Sequence, residues 1–329
     1  MGKVLKTAVI GCGKLGRREA AIVAELEGVE LTAVCDLNLT SARAVAEQYE
    51  GCRAYDSYQE LLEQEELTCV LVVTPTYTHK DICVAAARAH CHIFCEKPMA
   101  LRLSECDVML QAAEDNGVKL MIGFVRRFQP AFKEMKRRLE AGDLGEVKML
   151  YAIRMGGRPE PGVEGWRRQR SKVGGLLEGF VHEIDLLRWY GGRVRNVRGV
   201  MNFGTFPDTD VEDNIFITLE FENDAVGALQ SSQIFPLGAY DFGLAGTRGA
   251  MRYGGNVNTL VFCRQGDKPE RITLEPRDAL RDELQHFFDC VRHDRQPDIP
   301  GTHGKQALEI TLAAYRSAED GKIVRLPIG

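Results

Sequence analysis

A lysine at the end of a predicted strand is the first residue whose type and position suggest chemistry. Lys97 follows a short apolar segment and stands between Glu96 and Pro98. Proline fixes its own φ and keeps the preceding residue out of the helical region, so the pattern predicts an extended or turn geometry for Lys97. In an open parallel sheet, ligands bind beyond the carboxyl ends of the strands. Residues 95–98 alone leave two interpretations open, a ligand-contacting lysine and a surface turn with an ordinary ion pair.

A second group of titratable residues lies within a predicted helix over residues 174–190. Glu178, His182 and Asp185 are spaced so that they share one helical face. The opposite face is predicted to pack toward the core and carries Leu177, Val181, Ile184 and Leu187. A histidine flanked by carboxylates can be held in one tautomer with a tuned pKa, as a general base requires. A salt-bridged surface helix is the alternative.

Three glycines in this helical region favour the chemical interpretation. Gly174 and Gly175 begin the predicted helix, and Gly179 lies inside it. A glycine within a helix costs about 1 kcal/mol relative to alanine. Gly179 therefore indicates that another group approaches the helix backbone closely.

A glycine-rich motif follows the first predicted strand, residues 6–10, and precedes a helical stretch over residues 17–26. Its sequence is Gly11-Cys12-Gly13-Lys14-Leu15-Gly16. In such a motif the first glycine permits a tight turn, the second lets the backbone approach a pyrophosphate, and the third allows helix and strand to pack closely. The free N–H groups at the helix N-terminus bind the anion. The motif in this context predicts dinucleotide binding.

An acidic residue closes the second predicted strand, residues 30–35. Asp36 stands about 20 residues after the glycine motif, where an acid binds the ribose 2′-hydroxyl in dinucleotide-binding folds. Its charge would repel a 2′-phosphate, so the sequence favours NAD over NADP. The alternative is that Asp36 only caps a turn or a helix.

The order of predicted elements divides the chain into two domains. Strands alternate with helices up to residue 124, which predicts a doubly wound parallel sheet in an NAD-binding Rossmann domain over residues 1–125. Closely spaced strands then predict an α/β domain with a large, mostly antiparallel open sheet over residues 126–329, used for substrate binding and oligomerisation. The last helix is a candidate to pack back on the first domain.

Composition excludes several classes of protein. The chain has 329 residues, of which 44% are hydrophobic and 27% charged, as in ordinary globular domains. A net charge of -5 argues against a nucleic-acid or anionic-membrane surface. The first residues enter a strand without a secretory segment, and no apolar run is long enough to span a bilayer. Ten cysteines without a CxxC pair predict free thiols in a reducing compartment, so we expect a cytoplasmic protein without a metal.

Taken together, these motifs resemble those of the Gfo/Idh/MocA oxidoreductases, the family of glucose–fructose oxidoreductase and the inositol dehydrogenases. The resemblance covers nearly the full length and rests on residues 11–16, 74–79, 96–98, 123–128 and the helix that contains His182. It implies a Rossmann-type domain, then an α/β domain whose open sheet often forms oligomer contacts, with the nicotinamide between the two. A homodimer or homotetramer is therefore expected.

The resemblance also implies roles for individual residues. Lys97 matches the family's catalytic lysine and His182 its catalytic histidine. Glu178 stands where inositol dehydrogenases usually have an aspartate that assists the histidine, and Thr76 stands where asparagine is common. The predicted cofactor-binding residues are Gly11, Gly13, Lys14, Leu15, Gly16, Asp36, Thr74, Pro75, Thr76, His79, Glu96 and Lys97. The predicted substrate-binding residues are Lys97, Arg127, Arg154, Arg158, Trp166, Glu178 and His182, with Arg167 and Asn256 as further candidates.

The expected reaction is reversible oxidation of a secondary alcohol on an inositol or a sugar, with NAD as hydride acceptor. His182 would take the hydroxyl proton with help from Glu178, while Lys97 would bind the same oxygen, and the sequence does not divide proton transfer between them. Two alternatives are an NAD-using glycoside-modifying enzyme and a dinucleotide-sensing regulator. Lys97 and His182 argue against the regulator. The arginines of residues 154–170 indicate either an acidic or phosphorylated substrate or a charged surface loop.

Overall fold

The computed structural model describes residues 4–157, 165–255 and 258–328, with only the backbone of Leu177 and Glu178. The chain divides into two compact units. The first comprises Met1–Val125 and Leu280–Lys305, and the second comprises Arg126–Ala279 and Gln306–Gly329. Among the described helices, none has the length and apolar character needed to cross a membrane.

A six-stranded parallel sheet forms the centre of the first unit. Its strands are β1 (Leu5–Ile10), β2 (Val29–Cys35), β3 (Arg53–Tyr55), β4 (Cys69–Val72), β5 (His92–Glu96) and β6 (Leu120–Gly123). Their order in the sheet is β3-β2-β1-β4-β5-β6, and every neighbouring pair is parallel. The strand order reverses between β1 and β4, as in dinucleotide-binding folds. The predicted doubly wound sheet is confirmed.

Five helices of the first unit follow the strands. They are α1 (Lys14–Glu25), α2 (Leu39–Ala46), α3 (Tyr58–Gln64), α4 (His79–Arg88) and α5 (Leu103–Asp115). Helix α2 begins at Leu39, directly after a capping residue. Asn38 is the N-cap, because its side-chain oxygen accepts the N–H groups of Thr40 and Ser41 at 3.1 and 3.4 Å.

A nine-stranded sheet forms the second unit, and it is antiparallel except for one pair. Its strands are β7 (Val147–Met155), β8 (Val194–Asn202), β9 (Asn214–Phe221), β10 (Val226–Ser232), β11 (Ala239–Gly246), β12 (Gly249–Tyr253), β13 (Thr259–Arg264), β14 (Glu270–Thr273) and β15 (Val324–Arg325). Their order is β14-β13-β12-β11-β7-β10-β9-β8-β15, with β7 and β10 parallel. This confirms the predicted mostly antiparallel sheet. The sequence does not predict β12 and β14, which are short and bordered by glycine and charged residues.

The remaining helices are α6 (Pro130–Glu140), α7 (Arg170–Val173), α8 (Leu177–Gly191), α9 (Ala279–Arg292) and α10 (Gly301–Asp320). Helix α8 packs against β7 and β10 of the nine-stranded sheet. Along β9, buried Ile215, Ile217 and Leu219 alternate with exposed residues, so one face of that sheet is covered and the other is open.

The segment Leu280–Lys305 belongs to the first unit, whereas the sequence pattern assigns it to the domain over residues 126–329. Phe287 of α9 is fully buried, and its ring centroid lies 5.8 Å from that of Phe94 in β5. The N–H of Ile122 in β6 donates to the carbonyl of Ile299 at 3.0 Å. Aromatic burial and this backbone bond attach the segment to the parallel sheet. Helix α10 then continues from the first unit into the second.

Candidate active site

The glycine-rich turn joins β1 to α1 and is shaped by two close backbone contacts. Gly11 has a φ of +107°, and a Cβ on it would lie 2.3 Å from the carbonyl oxygen of Val73. A Cβ on Gly16 would lie 1.8 Å from the carbonyl oxygen of Gly11. A Cβ on Gly13 would meet no described atom within 4 Å. Gly11 and Gly16 therefore allow the turn itself, whereas Gly13 leaves open space in front of it.

Asp36 follows β2 beside this turn. Its Oδ2 accepts the Cys12 N–H at 2.8 Å and its Oδ1 accepts the Asn38 N–H at 2.9 Å. A cavity of about 430 Å³ lies here, lined by Cys12, Gly13, Lys14, Arg17, Asp36 and Ser41. Lys14 and Leu15 form the exposed first turn of α1. A carboxylate, an open glycine and a helix N-terminus in one place fit the ribose and the pyrophosphate of a dinucleotide.

The turn after β4 contains four predicted cofactor residues, of which Thr76 and His79 are buried. Thr74 and Pro75 are half-buried. His79 is 0% exposed, with Nε2 located 2.8 Å from the Thr74 carbonyl oxygen and Nδ1 located 2.9 Å from that of Pro98. Burial lowers the pKa of His79 although the neighbouring backbone carbonyls oppose this effect. A neutral imidazole has one N–H and donates to one of the two carbonyls at a time.

His79 therefore lies between the turn after β4 and the turn that contains Lys97, enclosed by a backbone carbonyl from each. Its predicted role in cofactor binding stays a prediction.

Lys97 is half-buried directly after β5, at the carboxyl end of the parallel sheet. Its backbone N–H donates to Oε2 of Glu96 at 3.1 Å, and Glu96 is 6% exposed. A Cβ on Gly123 would lie 2.6 Å from Oε1 of Glu96, so the absence of a side chain there makes room for this carboxylate. Glu96 thus supports the backbone of Lys97 from the interior of the unit.

Glu19 of α1 is a buried acid that the sequence reasoning missed. It is 0% exposed, and neither carboxylate oxygen has a hydrogen-bond partner among the described atoms. Burial raises the pKa of Glu19 well above its ordinary value, and the charge of Glu96 adds to this effect. Burial without a hydrogen-bond partner favours the neutral form of a carboxylic acid over the charged form. The only signal in the sequence is a charged residue at an inward position three residues after the glycine motif.

Helix α8 of the second unit is buried on most sides, whereas the sequence predicts only one core face. Val181 and Ile184 are buried as predicted. His182, Glu183 and Asp185 are also buried, with 8%, 0% and 1% of their surface exposed. The alternative of a salt-bridged surface helix is therefore excluded. The Glu178 side chain lies outside the described part of the structure.

Gly175, just before α8, allows the chain to enter this helix. It has a φ of +94°, and a Cβ on it would lie 2.4 Å from the Tyr315 hydroxyl and 2.7 Å from Oε2 of Glu212. Oε1 of Glu212 accepts the N–H of Leu176 at 3.0 Å. By contrast, a Cβ on Gly179 would meet no described atom within 4 Å, and Gly179 lines a cavity. Gly179 therefore faces open space, and the predicted close approach of another group to its backbone stays a prediction.

Asp185 pairs with an arginine from outside its helix. Arg127 donates Nε to Oδ2 at 2.7 Å and Nη2 to Oδ1 at 2.5 Å. Arg188 contributes Nη2 at 3.8 Å from Oδ1. The sequence predicts Arg127 as a substrate residue and Asp185 as a carboxylate beside His182. Arg127 is only 4% exposed, and the buried pair anchors α8. The predicted substrate contact of Arg127 stays a prediction.

Glu183 binds two arginines through the same oxygen. Oε1 lies 3.1 Å from Nε of Arg126 and 3.3 Å from Nη1 of Arg154. The guanidinium carbon of Arg126 also lies 4.4 Å from the centre of the Tyr240 ring. The sequence reasoning singled out Arg154 but missed Arg126, Glu183 and Tyr240. The sequence does contain a partial indication of Arg126 and Glu183, because both lie inside motifs that carry the family resemblance.

These arginines line a cavity of about 760 Å³ in the second unit. Arg167 and Arg168 also line it, from the short turn Gly165–Arg168. Trp166 in that turn is half-buried and has the guanidinium of Arg167 5.1 Å from its ring centre. Arg158 and Asn256, two predicted substrate residues, lie outside the described residues.

Two regions of the chain match models of one protein family. Residues 5–124 match an oxidoreductase family with an NAD-binding Rossmann fold, and residues 136–326 match the C-terminal α/β domain of that family. The chain is 30% identical to myo-inositol 2-dehydrogenase of Thermotoga maritima, covering 98% of each protein. It is 29% identical to scyllo-inositol 2-dehydrogenase (NAD(+)) of Bacillus subtilis, covering 98% of this chain and 97% of that relative.

A solved structure shows the same fold over the whole length. It is the WlbA dehydrogenase from Bordetella pertussis in complex with NADH and UDP-GlcNAcA. The TM-score is 0.87 at 26% identity, and the match covers 99% of this chain and 100% of that one.

Proposed function

The chain belongs to the Gfo/Idh/MocA oxidoreductase family and has its NAD-binding Rossmann fold, and we propose that it is a dehydrogenase of cyclic polyols. Its substrate is an inositol or a sugar, which it oxidises at a secondary alcohol. One observation carries this proposal: Lys97 lies half-buried at the carboxyl end of a parallel sheet whose glycine-rich turn and Asp36 share a cavity. Relatives that are inositol dehydrogenases support the choice of substrate class.

The side chains have separate tasks in the proposed reaction. Bound NAD supplies the hydride acceptor, a chemistry that belongs to the cofactor. His182 takes the proton of the substrate hydroxyl, and Glu178 assists it. Lys97 donates a hydrogen bond to the same oxygen and stabilises the negative charge that develops there. Lys97 and His182 are both candidates for the proton-transfer step, and the pH dependence of their variants will separate them.

The cofactor proposed is NAD in preference to NADP. Support comes from Asp36, whose carboxylate lies in the cavity beside Gly13. A carboxylate at this place accepts a hydrogen bond from the ribose 2′-hydroxyl and repels a 2′-phosphate.

We also propose that the protein forms a homo-oligomer and that it is located in the cytoplasm. The open face of the nine-stranded sheet exposes Val200 beside Phe216 and Met149 beside Val226, each pair in register on neighbouring strands. Covering these apolar pairs with a second copy of the chain would remove them from water. The ten cysteines are free in the structure, in keeping with a reducing compartment. Size-exclusion chromatography with light scattering tests the assembly, and a monomer would contradict it.

The direct test follows the absorbance of reduced cofactor while the protein is mixed with NAD and a panel of inositols, aldoses and sugar acids. We expect turnover with at least one polyol. Lys97→Ala should lower kcat by orders of magnitude with little change in NAD affinity, whereas Lys148→Ala, at an exposed lysine of β7, should change neither. Absence of turnover with the whole panel would reject the proposed function, and an active Lys97→Ala enzyme would reject the role of Lys97.

A further inference from the structure

The cavity of about 760 Å³ in the second unit has a positively charged lining. Its described lining residues include Arg126, Arg154, Arg167 and Arg168, and no described lining residue is acidic. A pocket for a neutral polyol needs hydrogen-bond donors and acceptors but no excess of cations. Arg168 is paired with Asp208 at 2.6 Å, so the charges of Arg126 and Arg154 are the ones that require an explanation beyond the proposed reaction.

The two best-defined arginines are only partly neutralised. Arg126 and Arg154 both contact Oε1 of Glu183, so two positive charges meet one negative charge. Glu183 is 0% exposed, whereas the Arg154 side chain is 36% exposed and the Arg126 side chain 16%. The compensating carboxylate thus lies in the interior, and the arginines present their charge toward the cavity. A guanidinium has five N–H donors in a planar fork, and Glu183 occupies only one edge of Arg154.

The strand register places neutral polar groups beside Arg154. On one side, Ser231 of β10 pairs with Arg154 of β7, and on the other side Tyr240 of β11 pairs with it. Residues directly opposite on neighbouring strands project from the same face of a sheet. Ser231, Arg154 and Tyr240 therefore form a row across three strands, and all three line the cavity. Arg126 extends this row by stacking on the Tyr240 ring at 4.4 Å.

We propose that the substrate is a polyol that carries an anionic group, a carboxylate or a phosphate, and that Arg154 binds this group with Arg126 beside it. This inference rests on the proposed dehydrogenase function and names its substrate class. A planar guanidinium matches the oxygens of a carboxylate or a phosphate, and such charge-assisted bonds are stronger than neutral ones. The cavity volume falls within the range of roughly 300–1,000 Å³ that is usual for small-molecule pockets, which leaves room for a ring and its charged substituent.

Glu183 has a definite part in this arrangement. Fixed by two arginines at once, it holds the Arg154 side chain in place before the substrate binds. Pre-positioned charge lowers the cost of ordering on binding. Glu183 is therefore a positioning residue for Arg154, and it does not itself contact the anion.

The experiment compares matched substrates with the NAD-loaded enzyme. Glucose, glucuronate and glucose 6-phosphate share one ring, as do myo-inositol and an inositol monophosphate, and they differ in the anionic group. We expect kcat/KM to be at least about tenfold higher for a charged member than for its neutral counterpart. A comparison of kcat/KM for glucuronate with that for glucose 6-phosphate then shows whether the site prefers a carboxylate or a phosphate.

The Arg154→Gln variant tests the residue. It should lower kcat/KM for the charged substrate by roughly 10- to 100-fold, mainly through KM, and lower kcat/KM for the neutral substrate by a much smaller factor. Arg154→Lys keeps the charge and should retain part of the preference. Arg271→Gln, at an exposed arginine of the edge strand β14, is the control and should match the wild type. A circular dichroism melt shows that each variant is folded.

A failure of the anion-binding inference can be told apart from a failure of the proposed dehydrogenase function. If neutral and charged substrates are turned over equally, or if Arg154→Gln reduces both to the same extent, the inference is wrong while the dehydrogenase function stands. If no compound is turned over, the proposed function fails, and calorimetric titration of glucuronate and glucose 6-phosphate decides the inference separately. Binding that Arg154→Gln abolishes would support the anion site, and no binding of either anion would overturn it.

Discussion

Arg127 and Asp185 form a bidentate ion pair in the interior of the second unit, with N···O distances of 2.5 and 2.7 Å. The two residues are 58 positions apart in the chain, and they are 4% and 1% exposed. The pair fixes α8 against the segment that begins the second unit, so the helix that contains His182 cannot shift without breaking it.

Removing one partner of this pair should destabilise the protein. Asp185→Asn leaves the Arg127 charge buried without its anion, and breaking a buried ion pair in this way costs about 3–5 kcal/mol. Denaturant unfolding measures the change. The matched control is Arg137→Gln, which breaks an exposed bidentate pair with Glu134 on α6 and should leave stability nearly unchanged. Equal effects of the two variants would contradict the anchoring role.

Asp36 should decide the choice of cofactor. In Asp36→Asn, the side-chain oxygen can still accept the Cys12 N–H, but the charge that repels a 2′-phosphate is gone. We expect the ratio of kcat/KM with NADP to that with NAD to rise at least about tenfold. Asp56→Asn, at an exposed acid after the neighbouring β3, is the control. A wild-type preference for NADP would contradict the assignment.

Glu19 should make stability depend on pH. The folded state raises the pKa of Glu19 above its ordinary 4.5, chiefly through burial, so the folded protein binds this proton more tightly than the unfolded chain does. Its stabilising contribution is complete below about pH 4.5 and is lost as the pH rises through the folded-state pKa. The Glu19→Gln side chain resembles the neutral acid and does not titrate, so this variant should not lose stability in this way as the pH rises.

Thermal melts at about pH 5 and about pH 9 test this difference. The melting temperature of Glu19→Gln relative to the wild type should be higher at the alkaline pH than at the acidic pH. Glu27→Gln, at an exposed acid just after α1, should show no such dependence. If the melting temperatures of Glu19→Gln and the wild type differ by the same amount at both pH values, Glu19 does not titrate as described.

His79 should influence kcat through Lys97. His79→Ala removes the link between the Thr74 and Pro98 carbonyls, and a misplacement of the reacting group by about 1 Å can lower the rate by about 100-fold. The KM for NAD should change little, because His79 is fully buried. His79→Gln supplies an amide N–H donor and should restore part of kcat. A rise in the KM for NAD without a fall in kcat would instead favour the direct cofactor contact that the sequence suggests.

Local patterns were sufficient for much of the fold. The run Cys69–Val72 is apolar throughout because both faces of a central parallel strand are covered, and such a pattern predicts a buried strand. The start of α2 does not follow from residue type, because Asn38 and Ser41 are both good N-caps and only the backbone geometry selects between them. The grouping of Leu280–Lys305 depends on contacts such as Phe287 with Phe94, which leave no trace in local spacing.

The sequence by itself determined which chemical groups the protein has and the turns that hold them. The glycine motif, Asp36, Lys97 and the histidine of α8 follow from residue type and short-range spacing, because backbone constraints act over a few residues. The tertiary structure decided the partners of the charges. Asp185 binds Arg127, Glu183 binds Arg154, and His79 is enclosed between two carbonyls, since a buried charge or polar group must find its partner wherever the fold brings one.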